Sequence, residues 1–254
     1  MTAIWLRRRG PKHPDAPRAG EMSVLEHLGE LRRRLFISLL AVLVGAVVAF
    51  VFSKEIISFL VTFYRDATDG KRQALIFTGP LDGFLTRLKI ATYGGVVLAL
   101  PVWLYELWRF ITPGLNPKER RYAIPFVLSS IVLFALGAFV AFLTLEPALR
   151  FLIDVGGPSQ SPQFTSDKYL GLVSLMIVAF GLSFEFPVIL VFLLIAGVLK
   201  TQQLRKARRW AIVGIVTFAA VITPSQDPYS LFFMAVPMYL FYEGSIVIGR
   251  ILKK

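Results

Sequence analysis

Polar and apolar residues do not alternate along this chain; they come in blocks. Six apolar runs stand out: Leu35 to Phe52, Phe84 to Ile111, Tyr122 to Leu145, Tyr169 to Leu199, Trp210 to Ile222 and Leu231 to Gly249. A helix needs about 20 mostly apolar residues to cross about 30 Å of hydrocarbon. A membrane strand would alternate over about ten residues, which these runs do not. Helices then satisfy the backbone hydrogen bonds that lipid cannot. The pattern predicts an all-α integral membrane protein with six transmembrane helices over residues 23–249. The fifth and sixth are expected to be short and to form a low edge of the bundle. The fifth run would reach only about 20 Å as helix, and the sixth carries Pro237 and Glu243. Pro101 and Pro237 are expected to kink their helices.

The connections set the orientation. Of the 28 Lys and Arg, 20 fall before the first run, in the second and fourth connections and after the last run. The other 8 lie on the opposite side. Positive charge stays inside, so both termini are expected in the cytoplasm of a bacterial inner-membrane protein. Residues 1–22 read as a disordered basic cytoplasmic tail and residues 250–254 as a basic cytoplasmic end. The Arg7-Arg8-Arg9 cluster stands about 25 residues before the first run, too far to act as an export signal. The longest outer loop, Ser53 to Gly83, has enough apolar residues between Ile56 and Tyr64 for one short interfacial helix.

Composition agrees and narrows the chemistry. Of the 254 residues, 56% are hydrophobic, and the mean hydropathy is +0.65, above a soluble domain. The net charge of +12 would suggest nucleic acid in a soluble protein. Here it sits between apolar runs and reads as topology, with no nucleic-acid partner. There is no cysteine, and His13 and His27 are the only histidines, which leaves no metal or thiol site. No phosphate-binding glycine loop, zinc H-E-x-x-H or serine G-x-S-x-G motif occurs. No enzyme activity and no cofactor are expected; the work is binding and conformational change within the membrane.

The informative residues are carboxylates. Ser23 and Glu26 fit a capping box, and Glu30 stands four residues before Arg34, a helical ion-pair spacing. Glu119 follows Asn116-Pro117, where it suits the first turn of the third span as a cap. It could equally join Glu30 in receiving two guanidinium groups on one membrane side. Glu106 has Arg109 three residues on as a ready partner, and Glu243 lies near an interface. Glu185 lies inside the fourth run, with no Lys, Arg or His between Tyr169 and Leu199. A carboxylate there is costly unless neutral, hydrated or partnered, which marks it as functional.

These residues fall within a longer resemblance. His27-Leu28-Gly29-Glu30-Leu31-Arg32-Arg33-Arg34-Leu35 resembles the signature of the TatC family, the receptor subunit of the twin-arginine translocase. The resemblance continues through Leu98 to Tyr105, Trp108 to Leu115, Lys118 to Arg121, Phe180 to Pro187 and Ile222 to Pro224. It implies a core receptor that binds twin-arginine signal peptides of folded proteins at its cytoplasmic face. Export is then driven by the proton motive force, in a multimeric complex with the single-span subunits TatA and TatB. By resemblance, Glu30 and Glu119 receive the arginines, Phe110 lies beside that site, and Arg32, a signature arginine, belongs to the same signal-peptide site. Glu185 matches an intramembrane glutamate linked to partner contact. The chain departs from the family in reading Leu60-Val61-Thr62-Phe63 where a proline often occurs. It also reads Ser225-Gln226-Asp227-Pro228 where Pro-Asp often follows Thr223-Pro224, so Asp227 is a shifted equivalent. A proton-coupled small-molecule transporter using Glu185 is the alternative; it requires more polar groups converging at midplane.

Overall fold

A computed structural model describes residues 24–68, 75–111, 123–157 and 164–252. Ser23, Glu119, the basic tail of residues 1–22 and residues 253–254 lie outside the described residues. Ten helices carry the described fold: α1 (Val24–Val51), α2 (Ser53–Ala67), α3 (Asp82–Leu98), α4 (Leu100–Ile111), α5 (Ala123–Val155), α6 (Ser166–Ser183), α7 (Phe186–Ile195), α8 (Thr201–Lys206), α9 (Arg208–Ile222) and α10 (Pro228–Ile251). Four stretches are long and apolar enough to cross a membrane: α1, α5, the α6–α7 pair and α10. The α3–α4 pair makes a fifth if its two arms, bent by 51°, count as one span.

The bend follows from Pro101. Proline lacks an N–H and its ring crowds the carbonyl four residues back, so α3 stops at Leu98 and α4 restarts at Leu100. The Trp103 indole N–H donates to the Val96 carbonyl at 3.1 Å, meeting one acceptor near the break. Pro237 behaves differently: α10 runs through it. The sixth helix is therefore not short. Its 24 residues begin at Pro228, which suits a first helical position, with Asp227 as the cap. At 15 residues, α9 matches the short fifth run and reaches about 22 Å.

Small residues bring α1 and α3 together. A Cβ on Gly95 would lie 2.7 Å from the Ala46 nitrogen and 2.8 Å from the Val42 carbonyl oxygen, both backbone atoms of α1. Only glycine permits that approach, the usual means of packing helices in lipid. The expected loop helix is α2, and it docks rather than merely lying at an interface. Leu60, Tyr64 and Ala67 are buried, Phe63 stacks on Phe142 of α5 at 5.2 Å, and the Tyr169 hydroxyl of α6 donates to the Leu60 carbonyl at 2.8 Å. A parallel bridge between Ile76 and Thr165 ties the following loop to the start of α6. The outer faces stay apolar: Leu35, Phe36, Leu39 and Leu43 of α1 are all exposed, as lipid contact requires.

Candidate ligand cavity and intramembrane carboxylate

On α1, Glu30 and Arg34 lie one turn apart on one face. The Arg34 Nε donates to Glu30 Oε1 at 3.0 Å, and Nη2 bonds the same oxygen. The third nitrogen, Nη1, crosses to α4 and donates to Glu106 Oε2 at 3.0 Å. A planar guanidinium can serve two carboxylates in this way. The Arg34 and Glu106 side chains are 13% and 10% exposed, so water screens the pair only partly. The expected Glu30–Arg34 pairing is present. Glu106, by contrast, pairs with Arg34 and not with Arg109, because packing of α4 on α1 brings the Arg34 Nη1 within reach of its carboxylate.

These groups line a cavity of about 600 Å³ together with Glu26, Gly29, Arg33, Ile37 and Arg109. The second oxygen of Glu30, Oε2, is buried and has no hydrogen-bond partner among the described residues. An unmet carboxylate oxygen is costly in a low-dielectric site, and it is the acceptor an incoming cationic donor would use. One turn from each acid, His27 stacks on Phe110 with ring centroids 4.4 Å apart and planes inclined by 14°. Phe110 therefore stands beside the cavity, held by a histidine that sequence reasoning assigned no role. Arg32 is exposed and does not line the cavity; two residues from Glu30 is about 200° round the helix. Glu119 cannot be located relative to these groups, since it falls outside the described residues.

Glu185 occupies the break between α6 and α7. Pro187 supplies no N–H for the Ser183 carbonyl, and the helix interrupts at Phe184 and Glu185. The Glu185 residue is 7% exposed. Its carboxyl oxygen Oε1 has no partner among the described residues. A cavity of about 450 Å³ opens beside it, lined by Trp103, Leu107, Trp108, Phe126, Phe192 and other mostly apolar side chains, with Ser130 of α5 in the same wall. Thus α4 serves both places. It presents Glu106 to α1 and Trp108 to the Glu185 cavity.

Two further acids, Glu243 and Asp227, have structural partners. Glu243 accepts from Arg208 at 2.6 Å. Asp227 accepts from the Ser230 backbone N–H at 2.8 Å and from the Ser225 hydroxyl at 2.5 Å. No group of three or more histidines, cysteines or acids suited to a metal occurs among the described residues.

A family profile described as "TatC: Sec-independent protein translocase protein (TatC)" matches residues 26–237. A Frankia casuarinae protein described as Sec-independent protein translocase protein TatC is 44% identical, over 90% of this chain and 65% of its own length. Its Deinococcus radiodurans counterpart is 36% identical, over 94% of this chain and 90% of its own. The Aquifex aeolicus counterpart is 38% identical, over 91% and 95%. A crystal structure described as Twin Arginine Translocase Receptor- TatC superposes with a TM-score of 0.75 at 38% identity, covering 90% of this chain and 100% of that one. The bent second span and the carboxylate-lined end of α1 thus sit in a chain whose sequence and fold agree across nearly its whole described length: it belongs to the TatC family of Sec-independent protein translocase proteins.

Proposed function

We propose that this protein is the core receptor of a twin-arginine translocase. It spans the inner membrane six times with both termini in the cytoplasm, α9 being the short fifth span. The cavity at the N-terminal end of α1 receives the arginines of a signal peptide. The observation that carries this reading is the half-satisfied Glu30 carboxylate, which still has a buried oxygen to offer a donor. A guanidinium suits that site because its paired N–H groups match a carboxylate, which a lysine ammonium cannot do. Glu119 supplies the second carboxylate, and Phe110 packs against the peptide beside it. Arg32, exposed on the opposite face of α1, meets the signal peptide outside this cavity.

Glu185 serves the second half of the function. Its cavity offers a partner's single membrane helix, of the TatA or TatB kind, one polar anchor inside an apolar groove. Assembly with those subunits yields a multimer that moves folded cargo using the proton motive force. The transporter alternative has less support, because among the described residues Ser130 is the only hydroxyl in the Glu185 cavity wall and no second acid joins it.

A binding titration tests the receptor reading. A labelled signal peptide with two arginines should bind the purified protein at least about tenfold more tightly than its two-lysine version. Glu119→Lys should abolish binding while the protein still inserts. Equal affinity for the two peptides would sink the proposal.

A further inference from the structure

The opposite end of the bundle holds a cavity of different character. From Glu30 to Phe50 along α1 is 20 residues, about 30 Å of helix, so this second cavity lies a full span away. Its volume is about 450 Å³, and it is formed where the end of α1, the start of α2 and the starts of α3 and α6 converge. Phe50, Ile57, Phe77 and Phe84 give it apolar walls, and Lys54 and Arg87 bring positive charge. Neither cation has an acid partner among the described residues.

Two acids near the cavity, Asp82 and Asp167, are otherwise engaged. The Asp82 carboxylate accepts from the Thr78 backbone N–H at 2.7 Å, the Thr78 hydroxyl at 2.8 Å and the Gly79 N–H at 2.8 Å. Asp167 pairs with Lys89 at 2.6 Å. A further group points to a ligand. Thr86, also in the cavity wall, is 2% exposed, and its hydroxyl has no hydrogen-bond partner among the described residues. A buried hydroxyl is normally satisfied; here its natural complement is an acceptor that enters the cavity.

We propose that this cavity binds the phosphate of an anionic phospholipid. The phosphate oxygens accept from Thr86, Lys54 and Arg87. The acyl chains leave over Phe50, Phe77 and Phe84, which are all exposed. The apolar walls favour lipid over a free anion, since inorganic phosphate has nothing to place against three phenyl rings. Such a lipid would bind where the loop helix α2 joins α1 and α3, fastening three elements at one end of the bundle. This inference does not depend on the receptor reading.

The test uses the full chain in detergent with phosphatidylglycerol, phosphatidylcholine or inorganic phosphate, and counts bound lipid by native mass spectrometry. Phosphatidylglycerol should bind more tightly than phosphatidylcholine. Each of Lys54→Gln and Arg87→Gln should weaken it about fivefold, the usual worth of one interfacial cation. Thr86→Val keeps the side-chain shape and should weaken it as well. Arg65→Gln with Lys168→Gln, which removes two exposed cations outside the cavity, should change nothing. Equal binding of both lipids, or undiminished binding by the Lys54 and Arg87 variants, would overturn the proposal. Full displacement of phosphatidylglycerol by inorganic phosphate would overturn it in favour of a free-anion site.

Discussion

Arg34 on α1 and Glu106 on α4 face each other at 3.0 Å, and through Glu30 they form a charge triad across two helices. Both side chains are mostly shielded, so removing Arg34 strands two acids, while removing Glu106 leaves the Arg34 Nη1 unmet. Breaking a fully buried pair costs about 3–5 kcal/mol; this one opens to a cavity, so about 1–2 kcal/mol is expected. Arg34→Gln and Glu106→Gln should each lower the thermal midpoint of the detergent-solubilised protein. The double variant should lose less than the sum of the two, as a coupled pair requires. Additive losses in that cycle would mean that the contact carries no net energy.

Helix contact on the other side of α1 rests on glycine. Gly95→Ala places a methyl group against backbone atoms of Val42 and Ala46, and backbone has nowhere to go. A loss of about 1–3 kcal/mol is expected, the usual cost of overpacking. Gly244→Ala is the control, since nothing lies within 4 Å of a Cβ built there. Thermal unfolding of the two variants side by side should separate them clearly; similar midpoints would show that α3 can shift away without cost.

Much of this fold is legible in the sequence, because lipid forces apolar runs into helices and the runs here are long. The break after Leu98 is legible too, since Pro101 forbids a continuous hydrogen-bond ladder. The errors have equally physical causes. Counting apolar residues begins the last helix at Leu231, yet Pro228 to Ser230 form a capped first turn that no hydropathy window registers. The third run ends in sequence at Leu145, while α5 continues to Val155. The Glu146–Arg150 pair at 3.0 Å gives the extension a polar face outside the apolar stretch. The Glu30–Arg34 pair is four residues apart and readable. The Arg34–Glu106 contact joins residues 72 apart, so only the packing of α4 on α1 could reveal it. The His27–Phe110 stack is hidden for the same reason, the two rings being on different helices.

Asp227 illustrates a shifted motif with a complete local role. Gln226 takes a φ of 49°, which turns the chain so that the 1%-exposed Asp227 caps α10. A capping carboxylate is worth about 0.5–2 kcal/mol. Asp227→Ala should lower the thermal midpoint accordingly, while Asp227→Asn, which still accepts from the Ser230 N–H, should recover most of the loss. Circular dichroism melts of the two variants check this. Loss of transport by Asp227→Asn at unchanged stability would instead give the charge a role of its own.

Glu185 should behave in the opposite sense. The residue is 7% exposed, shares its cavity wall with Ser130, and has a carboxyl oxygen with no partner among the described residues. Burying such a group opposes folding unless every lone pair is met. Removing it relieves that cost, so Glu185→Leu, which fits the apolar wall of Trp103, Phe126 and Phe192, should keep or raise the thermal midpoint. Binding of the signal peptide should also stand, because the Glu30 cavity draws on α1 and the far face of α4. What should fall is partner assembly, since a polar group on a neighbouring helix would lose its bond. Interhelical bonds in lipid are worth only about 1 kcal/mol, so crosslinking of a single-span partner beside residue 185 should drop about fivefold rather than vanish. Glu185→Gln, which keeps a hydrogen-bonding group, should retain more of it. A variant that melts early yet assembles normally would make Glu185 a structural acid that serves the helix break alone.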